Sequence, residues 1–323
     1  MIALSPGPVL VHVERSGVVE SVHTGHVVVL DPDGGVRQSL GDPDQPVFGR
    51  SSLKPLQAVG MVRAGFPTDD PAELALAAAS HSGSELHLRL VSAELTAAGL
   101  TESDLECPAD LPLGEAERRS FLASGRAPQR LAMGCSGKHT AMLRTCLVAG
   151  WPISGYLDPT HPLQQRLAEA VSELAGEPIA AVGVDGCGAP LFGLSLTGIA
   201  RGFSRVASSG QTANGRGSAE HAVAEAMRAH PDLVAGEGRT ATGLMRAVPG
   251  LIAKDGAEGV FAAALPDGGA VAVKIDDGAD RAAGVAMAAA LEQLGVSAAA
   301  LADFVALPVL GGGRPVGRIT PAR

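Results

Sequence analysis

The chain is predicted to adopt an α+β fold, one antiparallel sheet drawn from both ends of the chain with a helical block at about residues 55–250. Two observations predict it. β-type runs fill residues 9–40 and return at 259–275, each set closed by a turn rich in Asp, Pro and Gly. Between them, apolar residues follow helical spacing, interrupted by helix start and stop signals. No internal repeat is visible, and residues 1–323 read as a single domain.

In order, Val9-Leu10-Val11-His12-Val13 and His26-Val27-Val28-Val29-Leu30 are strands, and Asp31-Pro32-Asp33-Gly34-Gly35 turns into a return run. A serine at the cap or first turn, Pro55 early, and then Leu56, Val59, Met61 and Val62 make a helix start with an apolar face. Asp69-Asp70-Pro71-Ala72-Glu73 opens a helix over 74–79, which stops at the polar Ser80-His81-Ser82-Gly83. Helices follow at 86–98, stopped by Gly99, and at 114–123. The Gly-punctuated turn Met133-Gly134-Cys135-Ser136-Gly137-Lys138-His139 opens another, and a further helix spans 162–175. A strand at 180–184 delivers Asp185-Gly186-Cys187-Gly188 before a helical stretch at 194–207. The run SSGQTANGRGS at 208–218 is expected to be a mobile surface loop. Helices at 219–229 and 240–248 bracket the polar Gly236-Glu237-Gly238-Arg239, and Lys254-Asp255-Gly256 reads as a turn. Strands at 259–265 and 270–275, a helix at 280–294 and a Gly/Pro-rich tail complete the chain.

Hydrophobic residues make up 46% and charged residues 18%, enough to bury a large core. Aromatics are only 3% against 42 glycines, so the core must pack through Ala, Val and Leu. A net charge of −9 and the lack of a basic, aromatic-laced stripe argue against nucleic acid. The first residues lack a basic stretch followed by a long apolar one, so a cytoplasmic protein is expected. Glu292 and Asp303 interrupt the most apolar late segment, so no membrane span is expected. Four cysteines in such a chain point to metal, catalysis or burial rather than disulfides.

Chemistry is expected first at Ser51 and Lys54. At this spacing they share a helix face, where a neutral lysine can take the serine's proton. The helix N-terminus can stabilise an oxyanion. On its own S-x-x-K recurs by chance about once in a chain this size. Cys135, Lys138 and Cys187 are the second candidate: thiolates select zinc, whereas a lysine ligand must first lose its proton, so spacing leaves a zinc site open. Cys107 and Cys146 read as core. His81, His87 and His139 lie by the polar turns, where hydrogen-bonded structural histidines are the commoner case. Taken alone, Lys254 reads as a solvated lysine on a turn.

In order, RSSLKPLQ, ASHSG, MGCSGKH, VDGCGAP, HPDLVAGEGR and AKDGAEGV resemble the rhizobial-type (class 3) L-asparaginase family over most of the chain. The resemblance implies a fold like that of serine-dependent glutaminases and class A β-lactamases. It matches Ser51 and Lys54 to a first serine-lysine pair, and Ser80 and Lys254 to a second. It implies one zinc per chain at Cys135, Lys138 and Cys187, in a role other than hydrolysis. Asp255 follows Lys254 where the lactamases have Thr or Ser, and Ser80-His81-Ser82 is no S-D-N, which disfavours a β-lactam substrate. The expected reaction is hydrolysis of L-asparagine to L-aspartate and ammonia through an acyl-enzyme on Ser51, with Lys54 as base. Arg50 and Asp185 are candidates, on charge, for the substrate's carboxylate and ammonium, with His139 and Gly186 in the same binding set. A homodimer is also expected. The alternatives are a β-lactamase-like or peptidase-like serine hydrolase, a zinc-water amidohydrolase, and a non-catalytic amino-acid-binding protein.

Overall fold

The structure, a computed structural model, describes residues 5–211 and 215–322. The chain opens with β1 (Val9–Arg15), β2 (Val18–Leu30) and β3 (Val36–Leu40), and a short β4 (Val47–Phe48) leads into a 3-10 turn at Arg50–Leu53. Helices α1 (Lys54–Arg63), α2 (Pro71–Ala77), α3 (Glu85–Ala97), α4 (Glu115–Ala123), α5 (Ser136–Ala149) and α6 (Pro162–Ala175) follow, then β5 (Ala181–Val184) and β6 (Pro190–Leu194). Next come α7 (Leu196–Ser208), α8 (Ala219–Ala229), α9 (Pro231–Val234) and α10 (Thr240–Ala247). Strands β7 (Ile252–Gly256), β8 (Val260–Ala264) and β9 (Ala270–Ile275), helices α11 (Asp280–Gln293) and α12 (Ala298–Val305), and strands β10 (Leu307–Gly311) and β11 (Arg314–Pro321) finish the chain.

The main sheet runs β10-β11-β1-β2-β9-β8-β7, with β3 also on β2. It joins the two ends of the chain, as expected of this α+β class. The long β2 holds it together by changing neighbours along its length. Its first half pairs with β1, up to Thr24 opposite Val9, and its second half pairs with β9 from Gly25↔Ile275 to Leu30↔Ala270. Gly25 stands at the change of partner because a Cβ there would lie 2.2 Å from the Lys274 carbonyl oxygen. All of β8 and residues 27–30 of β2 are buried, so both sheet faces are covered. Helices α7 and α11 supply the covers, both packing on β8 and β9. The Ala-rich stretch of α11 lets that helix lie close to the strands with few large side chains.

Two expectations are corrected, and one strand was not anticipated. Lys254-Asp255-Gly256 is strand β7 rather than a turn, and the lysine is fully buried. Residues 190–194 form a strand, giving a small second sheet in the order β4-β6-β5. The Gly/Pro-rich tail is the hairpin β10–β11, with Pro308 on the edge strand, where an absent N–H costs no ladder bond. Of the loop expected at 208–218, residues 212–214 lie outside the described residues, and the stretch before them is the end of α7 and a 3-10 turn at Ser209–Gln211. Among the described residues no helix is long and apolar enough to cross a membrane.

Candidate active site

Five pieces of backbone converge where the helical block meets the end of β7: the 3-10 turn before α1, the chain after α2, the start of α5, the β5–β6 loop, and β7 itself. In a 3-10 turn residues three apart eclipse, so Ser51 and Lys54 project to the same side. The two neighbouring serines differ sharply. Ser52 is fully buried and its hydroxyl donates to the Gly49 carbonyl at 2.6 Å, whereas Ser51 is partly exposed and lines the pocket. Arg50 holds a left-handed backbone, φ 50°, which a side chain adopts at a cost and which recurs at functional sites.

Lys54 is 1% exposed, and its Nζ donates to the Ala79 carbonyl at 2.5 Å, Ser80 Oγ at 2.9 Å and Cys135 Sγ at 3.0 Å. Residues far apart in sequence thus meet on one amine. Among the described residues no hydrogen bond joins Ser51 Oγ to Lys54 Nζ. Lys254 is fully buried on β7, with Nζ donating to the Asp255 carbonyl at 2.6 Å and to Asp255 Oδ1 at 2.8 Å. A neutral lysine can make both bonds and keep its lone pair free. Burial, with Lys54 as a second cation, pulls Lys254 down to about 8. Asp255 is half-buried, and Lys254 and Arg239 outweigh its desolvation and hold its carboxyl well below the usual range. The replacement of Thr or Ser by Asp at this position therefore has a structural partner: Asp255 is clamped by Arg239 and anchors Lys254.

The thiols lie on the other side of Lys54. Cys135 precedes α5, Lys138 sits in its first turn and Cys187 lies in the β5–β6 loop, all buried. Lys138 Nζ is 3.4 Å from Cys187 Sγ. Cys135, with Lys138 and Lys54 nearby, favours the Cys187 thiolate, while Cys135 beside it stays a thiol. Burial opposes the Lys138 ammonium, but Cys187, Cys135 and Asp185 outweigh it and raise its pKa. The spacing of one donor pair, Lys138 and Cys187, is compatible with a shared metal ion. A nitrogen and a sulfur bound to one tetrahedral zinc at about 2.0 and 2.3 Å stand about 3.5 Å apart, close to the spacing of Lys138 and Cys187. Among the described residues there is no cluster of three or more His, Cys, Asp and Glu side chains that could hold a metal.

Arg50 and Asp185, expected to hold the two ends of an amino acid, hold each other: Arg50 Nε donates to Asp185 Oδ1 at 2.8 Å, which also accepts from the Gly186 amide at 2.8 Å. Burial opposes the Asp185 carboxylate, yet Lys138, the Gly186 amide and Arg50 lower its pKa. Arg50, Ser51, Lys54, Lys138 and Asp185 line a cavity of about 10 Å³, enough for about one water. Beyond Arg50 opens a 500 Å³ hollow lined by Phe48, Leu191, Glu258 and Lys274.

His81 and His87 are structural. Their rings stack at 4.9 Å, His81 Nε2 meets Ser136 Oγ at 2.8 Å, and His87 completes the capping box of α3 with Ser84. Cys107 and Cys146 are fully buried, as expected of core thiols. Sequence reading missed Arg239 and Tyr156, whose roles arise from tertiary contacts. The polar GEGR run before α10 was the only sequence signal for Arg239.

Gly256 explains why the lysine motif ends in glycine. A Cβ there would stand 2.9 Å from the Gly49 oxygen and 3.1 Å from the Ser52 nitrogen. Gly256→Val should push β7 off the 3-10 turn and lower kcat about a hundredfold, with a drop of about 1–3 kcal/mol in stability. Turnover and thermal melting of the variant check this.

A sheet with its helical block and a buried polar pocket at their seam make an α+β protein with one candidate active site. The chain belongs to the L-asparaginase II family, whose model matches residues 11–321. It is an asparaginase-type amidohydrolase acting on a small molecule. No curated protein matches the chain.

Proposed function

We propose that the chain hydrolyses L-asparagine to L-aspartate and ammonia through an acyl-enzyme on Ser51. The observation that supports this best is the 2.9 Å contact of buried Lys54 with Ser80, which links the first serine-lysine pair to the second serine. Ser52 is committed to the Gly49 carbonyl, which favours Ser51 as nucleophile. In this reading neutral Lys54 takes the Ser51 proton as Oγ bonds to the side-chain amide carbon. The carbon–nitrogen bond then breaks, and ammonia leaves with a proton relayed through Lys54, Ser80 and Lys254. Water, deprotonated by the same amines, cleaves the ester. The Ser51 amide, at the start of the turn, takes the developing oxyanion. Asp185 and Arg50 part to receive the substrate's ammonium and carboxylate, with Gly186 and His139 lining the same end.

One zinc belongs to this reading, held by Cys135, Lys138 and Cys187. Bound there it supplies positive charge that braces the pocket and orients the substrate. A homodimer and a cytoplasmic setting complete the proposal, and light scattering of the purified chain tests the first.

Ammonia release from asparagine, glutamine and nitrocefin, measured side by side, tests the activity. Ammonia from asparagine with intact nitrocefin is expected, and the reverse would make the protein a lactamase-like hydrolase. The pH profile follows from Lys254. Neutral Lys54 is the base and a neutral Lys254 can accept the proton it relays to the departing ammonia, so kcat/KM should rise as pH passes through about 8. Activity highest below pH 6 would point to a carboxylate or histidine base instead.

A further inference from the structure

Tyr156, the single tyrosine of the chain, is fully buried. Its hydroxyl accepts from the Glu106 amide at 3.0 Å and lies 2.7 Å from His139 Nδ1. A phenol has one proton to give. Among the described residues the hydroxyl has no acceptor besides Nδ1, so the arrangement that satisfies it gives its proton to Nδ1. The ring's own proton then sits on Nε2.

His139 is 0% exposed, and among the described residues its Nε2 has no hydrogen-bond partner. It follows Lys138 on α5, and Cys135, Lys138 and His139 share one helix face. The preceding residue, Lys138, lines the cavity beside Ser51. A buried N–H left unpaired costs stability, and native proteins tolerate it where a ligand supplies the acceptor.

We propose that Tyr156 is a positioning residue that locks His139 in the Nε2–H tautomer, so that His139 presents a neutral donor to an oxygen of the bound amino-acid substrate. The inference rests on the reading that this pocket takes asparagine. The edge-on packing of the two rings, with centroids 5.7 Å apart and planes at 75°, holds the donor's direction as well as its tautomer.

A double-mutant cycle on KM, together with nitrogen-15 NMR of labelled histidines, tests it. Tyr156→Phe removes the proton donor and keeps the ring, and it should raise KM about tenfold, the worth of about one hydrogen bond, with kcat changed less than about threefold. His139→Gln keeps an N–H near the Nε2 position without any tautomer, so adding Tyr156→Phe to it should change KM no further. In wild type the resonances that vanish in His139→Gln should show the proton on Nε2, and Tyr156→Phe should move them away from that pattern. A wild-type proton on Nδ1, or an undiminished effect of Tyr156→Phe in the His139→Gln background, would overturn the assignment. Should wild type release no ammonia from asparagine, the substrate reading fails, while the NMR still decides the tautomer.

Discussion

Ser51→Ala should lower kcat by about 10⁴-fold or more without unfolding the protein, because losing the nucleophile forfeits the whole covalent route. The neighbouring serine provides the control. Ser52→Ala removes a buried hydroxyl and its bond to the Gly49 carbonyl, costing about 1 kcal/mol of stability, and should keep most of the activity. Lys54→Met should resemble Ser51→Ala in rate, since base and nucleophile act as a unit. Its thermal response should differ. Methionine fills the site of the lysine stem without its buried amine, so the Ala79 carbonyl and Ser80 hydroxyl lose a donor while a buried charge disappears. The check is kcat for the three variants, with melting curves to establish folding.

The second large effect is expected from the thiols. Cys187→Ala should empty the proposed zinc site, because the set has only two sulfurs and one amine. Purified wild type should then carry about one zinc per chain, as a single such site implies, and the variant close to none. Asparagine affinity should fall about tenfold to a hundredfold, as losses around metal sites typically do, while the capacity to acylate Ser51 persists. Metal content, KM and kcat measured together decide it. A zinc-free wild type with normal kinetics would leave Cys135 and Cys187 as packing residues. Complete loss of chemistry on chelation, with no covalent intermediate in wild type, would favour a metal-bound hydroxide as nucleophile.

How far the sequence reveals this molecule can be traced residue by residue. The Asp31-to-Gly35 turn announces its hairpin because its chemistry is local, and the observed strands β2 and β3 flank it. Strand β7 stayed hidden because Ile252-Ala253-Lys254-Asp255-Gly256 carries two charges. Only the fold reveals that Lys254, Asp255 and Arg239 neutralise one another in the interior. The apolar run of β6 has no period that separates strand from helix, and its partners lie in distant segments.

The site divides in the same way. The pairing of Ser51 with Lys54 is visible as a one-turn spacing, and Cys135 with Lys138 likewise. The resemblance grouped Ser80 with Lys254 and Cys135 with the zinc set, and that both instead reach Lys54 emerges only in the fold, because three segments have to come together before they meet. Arg50 and Asp185 were chosen on charge, and their direct contact shows that charge alone identifies a pair without saying what each member holds. Tyr156 left no local signal, since its partners Glu106 and His139 lie fifty and seventeen residues away.

The most direct test of the central claim is mass spectrometry of enzyme quenched during turnover of asparagine. The account predicts a fraction of wild-type chains heavier by one aspartyl group, mapped by digestion to the peptide that contains Ser51, and absent from Ser51→Ala. An active wild type with no adduct at any quench time, together with a Ser51→Ala variant that still releases ammonia, would contradict it.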